Sequence, residues 1–77
     1  MERRIVVNPL ICHGKPVIKG TRVMVSDILD LLEYGKNFDE IITIYFPNIT
    51  NEDISACIHF ANEMVQNEEI HVMGTEK

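Results

Sequence analysis

The sequence predicts a mainly α domain, with three helices behind a short N-terminal β arm or hairpin. Three observations support this class. The chain has 77 residues, which suits a single small domain. Apolar residues make up 45% of it, as is typical of globular proteins. Short β-branched runs broken by Gly and Pro occupy the first 25 residues, and helical periodicity takes over after them.

The first 25 residues predict two or three short strands or extended arms. The β-type runs are Ile5-Val6-Val7, Val17-Ile18 and Val23-Met24-Val25. Asn8-Pro9 and Gly14-Lys15-Pro16 are turn signals between these runs. Gly20 favours a further hairpin-like turn, because glycine adopts positive φ at no steric cost.

The first helix is predicted over residues 26–34. Ser26 stands at the N-cap position, and Asp27 is favourable in the first turn. Gly35 follows the last residue, as is common where helices end. The apolar residues that predict the buried face are Val25, Ile28, Leu29 and Leu32.

The second helix is predicted over residues 38–46. Asn37 and Glu40 have the spacing of a capping box. Pro47 disfavours helical geometry at Phe46 and so ends the helix there. The predicted buried face consists of Phe38, Ile41, Ile42 and Tyr45.

The third helix is predicted to begin after the N-cap Thr50, with Asp53 three residues on, and to run to about residue 67. Ile49 and Ile54 have the spacing of a hydrophobic staple. Its predicted buried stripe is Ile54, Cys57, Ile58, Ala61, Met64 and Val65.

Helices two and three are joined by a short link, Pro47-Asn48-Ile49-Thr50. A helix, a tight turn and a longer helix in this order are typical of helix-turn-helix units. Any small three-helix bundle has the same order.

We predict one domain over residues 1–77. It divides into a basic β arm at 1–25, a bundle at 26–67 with its helix-turn-helix at 38–67, and a tail at 68–77 that adds a short strand or is disordered.

Composition excludes several classes. No apolar run approaches the ~18–20 residues of a membrane span. The apolar stretch after Arg3 and Arg4 stops at Asn8-Pro9, too soon for a signal peptide. Two cysteines are too few for a secreted disulfide scaffold. We expect a cytoplasmic protein without membrane contact.

Because the core is small, we also expect a homodimer whose N-terminal β arms pair or swap.

Charge is distributed unevenly along the chain. The net charge is −5, but residues 1–22 hold five cations against one acid, whereas residues 23–77 hold two cations against eleven acids. A nucleic-acid-binding domain usually has a pI above about 9, which this chain lacks. Any contact with phosphate must therefore come from the first 22 residues or from a partner. Alternatively, the basic third neutralises the acidic part within the fold or across a dimer.

The outer face of the third helix is predicted to carry uncharged or titratable hydrogen-bonding side chains. Such side chains read base edges or a polar partner surface. Glu52 and Glu63 flank them and repel phosphate, so an ordinary solvated helix face is the competing interpretation. The candidate readout residues are Ser55, His59, Asn62 and Gln66.

Metal binding and catalysis are not indicated. Cys57 and His59 lie about 200° apart on a helix and cannot share an ion with Cys12 and His13, so no metal or other cofactor is expected. The chain shows no nucleophile with a base and no glycine-rich phosphate loop, so we expect no enzymatic activity.

The remaining segment is Gly14-Lys15-Pro16-Val17-Ile18-Lys19-Gly20-Thr21-Arg22-Val23, which we call the basic box (residues 14–23). It concentrates cations and glycines within an acidic chain. One interpretation is a rigid basic loop that grips phosphates or a carboxylate-rich surface. The other is a hairpin whose glycines set the turn and whose cations are solvated.

The basic box resembles the signature of a small prokaryotic family, the domain of unknown function number 433. The resemblance continues in register over about residues 3–65, through Tyr34-Gly35, Phe38-Asp39-Glu40-Ile41-Ile42, Tyr45-Phe46-Pro47-Asn48-Ile49-Thr50 and the helix opening at Glu52-Asp53-Ile54 and Ala56. Two departures stand out. Phe46 is an extra residue between Tyr45 and Pro47, and Cys12-His13 stand where the family often carries a glycine.

The resemblance implies a homeodomain-like helix-turn-helix fold preceded by a short β arm. It also implies an antitoxin-like protein, often encoded beside a PIN-like nuclease. We therefore expect a non-enzymatic module that binds such a toxin nuclease and operator DNA; the alternative is a protein-interaction module that never touches DNA. The residues expected to contact the partner or phosphate are Lys15, Lys19, Thr21 and Arg22.

Overall fold

The computed structural model describes residues 4–67. Within that range the elements run in the order predicted, an N-terminal hairpin followed by three helices, so the mainly α fold class is confirmed. The strands are β1 (Ile5–Val6) and β2 (Val17–Ile18), joined through a short 3₁₀ turn at Cys12–Gly14. The helices are α1 (Val25–Glu33), α2 (Phe38–Glu40, continued by a π turn at Ile41–Tyr45) and α3 (Asn51–Asn67). The predicted tail at 68–77 lies outside the described residues.

The hairpin places β2 at the centre of three extended segments. β1 and β2 pair antiparallel, with Ile5 opposite Ile18 and Val6 opposite Val17. On its other side Val17 forms a bridge to Met24. The expectation of two or three short extended segments is confirmed, although β1 ends at Val6 and does not include Val7.

α1 begins one residue earlier than predicted, and its N-cap is Met24 rather than Ser26. The hairpin explains the difference, because the backbone N–H of Val25 donates to the Pro16 carbonyl at 3.0 Å and the chain is still extended at Met24. Asp27 accepts a hydrogen bond from the Met24 N–H at 3.4 Å. Ser26 is therefore an exposed residue inside the first turn.

α2 begins with the predicted capping box. The Glu40 N–H donates to Asn37 Oδ1 at 2.8 Å, and the Asn37 N–H donates to Glu40 Oε1 at 3.0 Å. The helix then widens into a π turn, in which the Phe46 N–H donates to the Ile41 carbonyl at 2.8 Å. A π turn holds one residue more than an α turn.

The π turn corrects the predicted buried face of α2. Tyr45, predicted to be buried, is exposed, and Phe46 packs against the core in its place. The wider turn moves the residues after Ile41 around the helix axis. The helical region ends at Tyr45, one residue before the predicted end.

α3 begins as predicted. The Asp53 N–H donates to Thr50 Oγ1 at 3.2 Å, and the Thr50 N–H donates to Asp53 Oδ2 at 3.0 Å. Both staple residues, Ile49 and Ile54, are buried.

The prediction of a buried face in the second half of α3 is wrong. Ile58, Met64 and Val65 are exposed, whereas Phe60 packs against the core. The buried residues of α3 lie in its first half, at Asp53, Ile54 and Cys57, and the helix packs against α1 and β1. Cys57 itself is fully buried, as predicted.

The core lies where β2, α1, α2 and α3 meet. It is made of aliphatic side chains and one thiol: Ile18, Val23, Val25, Ile28, Ile41, Ile49, Ile54 and Cys57. Over residues 4–67, none of the helices is both long and apolar enough to cross a membrane.

Candidate functional site

The second half of the basic box is a tight turn closed by backbone hydrogen bonds between residues 18 and 23. The Ile18 N–H donates to the Val23 carbonyl at 2.9 Å, and the Thr21 N–H donates to the Ile18 carbonyl at 3.0 Å. Gly20 is the third residue of this tight turn and has a φ of +81°, the left-handed geometry that a type II turn requires there. The cations of the box therefore stand on a defined backbone.

The side-chain hydroxyl of Thr21 forms hydrogen bonds within the turn. It donates to the Ile18 carbonyl at 2.8 Å and accepts from the Val23 N–H at 3.0 Å. The side chain is half-buried. The hydroxyl thus fixes the direction in which Arg22 leaves the turn, and a direct contact of Thr21 with a partner stays a prediction.

The three predicted cations of the box project into solvent. Lys15, Lys19 and Arg22 are all exposed. Within residues 4–67, no side-chain hydrogen bond or ion pair involves any of them. Their charge is thus available to a ligand.

Arg4 behaves differently from the cations of the box. Its guanidinium Nη1 lies 3.1 Å from Asp53 Oδ1, in a partly buried ion pair. The Arg4 carbonyl also accepts a hydrogen bond from the Lys19 N–H at 2.6 Å. The idea that the basic third neutralises the acidic part within the fold is therefore correct for Arg4. The same contacts anchor the Lys19 end of the box close to the first turn of α3.

The predicted polar face of α3 is exposed, as expected. Ser55, His59, Asn62 and Gln66 all face solvent. Gln66 Nε2 donates to Asn62 Oδ1 at 3.5 Å, and His59 Nε2 lies 3.4 Å from Glu63 Oε2. The face is therefore partly engaged in its own contacts along the helix, with a carboxylate beside its only imidazole.

An apolar groove next to the box was not predicted from the sequence. It has a volume of about 330 Å³ and runs between the start of the box, α1 and the second half of α3. Two of its walls come from sequence positions far apart, Pro16 and Phe60. Its lining consists of Lys15, Pro16, Val25, Ser26, Leu29, Phe60, Ala61 and Met64.

The two cysteines occupy different surroundings. Burial, together with the smaller effect of the nearby Asp53 carboxylate, raises the pKa of the Cys57 thiol to about 11. Cys12 is half-buried, and its Sγ lies 3.6 Å from the Arg22 carbonyl, to which it donates. In the described part of the chain, no three His, Cys, Asp or Glu side chains are grouped closely enough to hold a metal ion.

The turn before the box has an unusual backbone. Cys12 and His13 have φ of +51° and +57°, and Gly14 follows with +78°. A non-glycine residue in this left-handed region costs about 1–2 kcal/mol.

Comparison with known proteins identifies the family. A family model described as protein of unknown function (DUF433) matches residues 5–61. The chain belongs to the DUF433 family. The matched segment contains β1, the whole basic box and the first part of α3.

A solved structure supports the assignment. It is described as the crystal structure of a DUF433 member protein from Anabaena variabilis, and it is 28% identical to this chain with a TM-score of 0.74. The similarity covers 82% of this chain and 61% of the other, so this DUF433 chain spans about three fifths of the length of that protein. No curated protein matches the chain.

The functional features that sequence reasoning missed in this DUF433 chain come from long-range packing. The groove is lined by both Pro16 and Phe60, and nothing in the local sequence links them. The sequence does contain a signal for the groove, the apolar residues in the second half of α3, but their helical spacing predicts a buried position in the core. The pairing of Arg4 with Asp53 had no local signal either, because 49 residues separate the two.

Proposed function

We propose that this DUF433 chain is a non-enzymatic, antitoxin-like module that binds a carboxylate-rich protein partner through its basic box. The partner class is a PIN-like nuclease. The observation that carries the proposal is the exposure of Lys15, Lys19 and Arg22 on the basic box, with none of these side chains in an ion pair or hydrogen bond within residues 4–67.

The chemistry of such a partner matches the box. A PIN-like nuclease builds its metal site from carboxylates, and a guanidinium binds carboxylates with two parallel hydrogen bonds. Arg22 is the residue suited to this contact, because Thr21 fixes the turn from which it projects. Occupation of the nuclease site by Arg22 would block it without any chemistry on this chain.

Three acids of the described chain have structural roles at helix starts, which fits a non-enzymatic role. Glu40 and Asp53 accept hydrogen bonds from their helix N-caps, and Asp53 also holds Arg4. Asp27 accepts from the Met24 N–H at the start of α1. These carboxylates are occupied in capping, as acids in the first turn of helices usually are.

Operator DNA is a second candidate ligand, favoured by one observation. The α3 residues Ser55, His59, Asn62 and Gln66 form an exposed hydrogen-bonding face on the last helix of a helix-turn-helix order. Glu52 and Glu63 on the same helix oppose phosphate binding. On this account the box supplies the affinity for DNA and α3 tunes its sequence preference.

The two ligands are distinguished by titrating the full chain against each one over a range of salt concentrations. The upstream DNA and the protein encoded by the neighbouring gene serve as ligands. A saturable complex with the protein supports the proposal. If DNA binds, the slope of log affinity against log salt should fall by about one for each lost phosphate contact. Binding to neither ligand contradicts both functions.

A further inference from the structure

We propose that the groove between the basic box, α1 and α3 binds a small monocarboxylate with an apolar body, of the medium-chain fatty acid class. Lys15 binds the carboxylate, and the α3 wall of the groove contacts the apolar body. This inference stands apart from the proposed function, because it needs neither a nuclease nor DNA.

Most of the groove surface is apolar. Phe60, Ala61 and Met64 form its α3 wall, and Pro16 and Leu29 add apolar surface from the box and from α1. Its volume of about 330 Å³ lies at the small end of the range for ligand-binding pockets. The groove therefore suits a ligand with a short apolar body.

The two polar residues that line the groove lie on the same side of it. The Val25 N–H donates to the Pro16 carbonyl at 3.0 Å, which joins the start of α1 to the box. Lys15 precedes Pro16 and Ser26 follows Val25, so this bond brings the two polar residues together on the side opposite the α3 wall. The groove thus has a polar side and an apolar side.

Both polar side chains are available to a ligand. Lys15 and Ser26 are exposed, and within residues 4–67 neither side chain takes part in a hydrogen bond or an ion pair. A lysine ammonium donates a charge-assisted hydrogen bond to a carboxylate, and a serine hydroxyl can donate a second one. One carboxylate group satisfies both donors.

The charge of the groove favours an anion with a single charge. Although the chain has a net charge of −5, the described residues that line the groove include one cation and no acid. A neutral ligand gains nothing from the ammonium. A second negative charge on the ligand would lie against apolar side chains, which is unfavourable.

Two acids close to the lining residues in sequence are engaged elsewhere. Asp27 accepts a hydrogen bond from the Met24 N–H at the start of α1. Glu63 Oε2 lies 3.4 Å from His59 Nε2, and neither of these two residues lines the groove. Neither acid therefore occupies the position proposed for the carboxylate of the ligand.

The test is a titration of the full chain with octanoate, followed by two-dimensional amide NMR spectra without any partner protein. In the wild type, the amide signals of Ser26, Leu29 and Ala61 should shift along one saturable curve. Octanol, which has the same chain length and no charge, should bind about fivefold more weakly, because an exposed ion pair contributes about that much. A wild type that shows no saturable shift at millimolar octanoate overturns the proposal, and so does equal binding of octanol.

A charge variant tests the role assigned to Lys15. Lys15→Met removes the ammonium and keeps most of the side-chain length, so it should weaken octanoate about fivefold and change octanol by less than about twofold. Lys36→Met is the matched control, because it removes the same charge from the segment between α1 and α2. It should change octanoate by less than about twofold. Equal octanoate affinity of Lys15→Met and wild type overturns the proposal.

A variant that fills the recess tests the site of the apolar body. Ala61→Leu adds three carbon atoms to the α3 wall and should weaken octanoate and octanol alike, by about tenfold or more. Far-UV circular dichroism checks that each variant keeps its helical content. Wild-type affinity in a folded Ala61→Leu chain places the ligand outside the groove and overturns the proposal. Because no partner protein enters these titrations, their failure leaves the proposed function standing.

Discussion

The Arg4 guanidinium lies 3.1 Å from the Asp53 carboxylate and ties the first strand to the first turn of α3. Asp53 is nearly buried, and its other oxygen accepts the Thr50 N–H that begins the helix. One carboxylate therefore caps α3 and holds the N-terminal hairpin against it. The backbone of Arg4 also contacts the basic box, because its carbonyl accepts from the Lys19 N–H.

The first prediction concerns the coupling between these two residues. Arg4→Gln and Asp53→Asn should each lower the free energy of unfolding, by about 1–3 kcal/mol for the buried carboxylate and less for the more exposed arginine. A double-mutant cycle by urea denaturation should give a coupling of about 0.5–1.5 kcal/mol. Strictly additive losses would show that the ion pair contributes nothing to stability.

The second prediction uses the same substitution at two places on α3. Ile54 is fully buried, whereas Ile58 is exposed, although both belong to the stripe predicted from the sequence. Ile54→Ala should cost about 2–5 kcal/mol of unfolding free energy, because it leaves a cavity in the core. Ile58→Ala should cost less than about 1 kcal/mol at concentrations where the chain is monomeric. Equal losses of unfolding free energy would mean that both residues are buried, as the sequence predicts, and would contradict the structure.

Local signals in the sequence predicted most of the helix boundaries. The capping residues Asn37 and Thr50 make the hydrogen bonds expected of them, and Gly35 takes the positive φ expected after α1. Each of these signals needs only residues within one turn of the helix end. Such information is contained in a short window of sequence.

Features set by distant residues were not predictable in this way. Ser26 satisfies the local rule for an N-cap, yet the bond from Val25 to Pro16 starts the helix earlier. The spacing of apolar residues does not reveal the π turn, and it therefore wrongly predicts that Tyr45 is buried in the core. The apolar stripe predicted for α3 combines two surfaces of the helix. One of them is buried in this chain, and the other is exposed.

The third prediction concerns the thiols. With the pKa of Cys57 raised to about 11, its thiolate fraction at pH 8 is about 100-fold lower than that of an ordinary thiol. Cys57 is also fully buried, whereas Cys12 is half-buried. Ellman's reagent should titrate one thiol per native chain and the second only after unfolding. In a Cys12→Ala variant the native chain should show no rapid reaction. A fast native reaction in that variant would contradict the buried position of Cys57.

The same thiol predicts a pH dependence of stability. Its pKa is raised in the folded chain, so its contribution is complete below about pH 9, where the thiol is protonated in both states. Between about pH 9 and 11 the unfolded chain loses this proton first, and the free energy of unfolding falls. Denaturation of wild type and Cys57→Ala through this interval should show a steeper fall for the wild type. Parallel curves would mean that Cys57 titrates normally.

The central claim is that the exposed cations of the basic box bind the partner. Its most direct test is a pair of titrations of Arg22→Ala and the wild type against the protein encoded by the neighbouring gene, with Lys36→Ala as the control. Lys36 lies between α1 and α2, outside the box, and its substitution removes the same unit of charge. We predict that Arg22→Ala weakens the complex by about tenfold or more, while Lys36→Ala changes it by less than about threefold. Equal affinities for Arg22→Ala and wild type would show that the box is a structural turn and not a binding site.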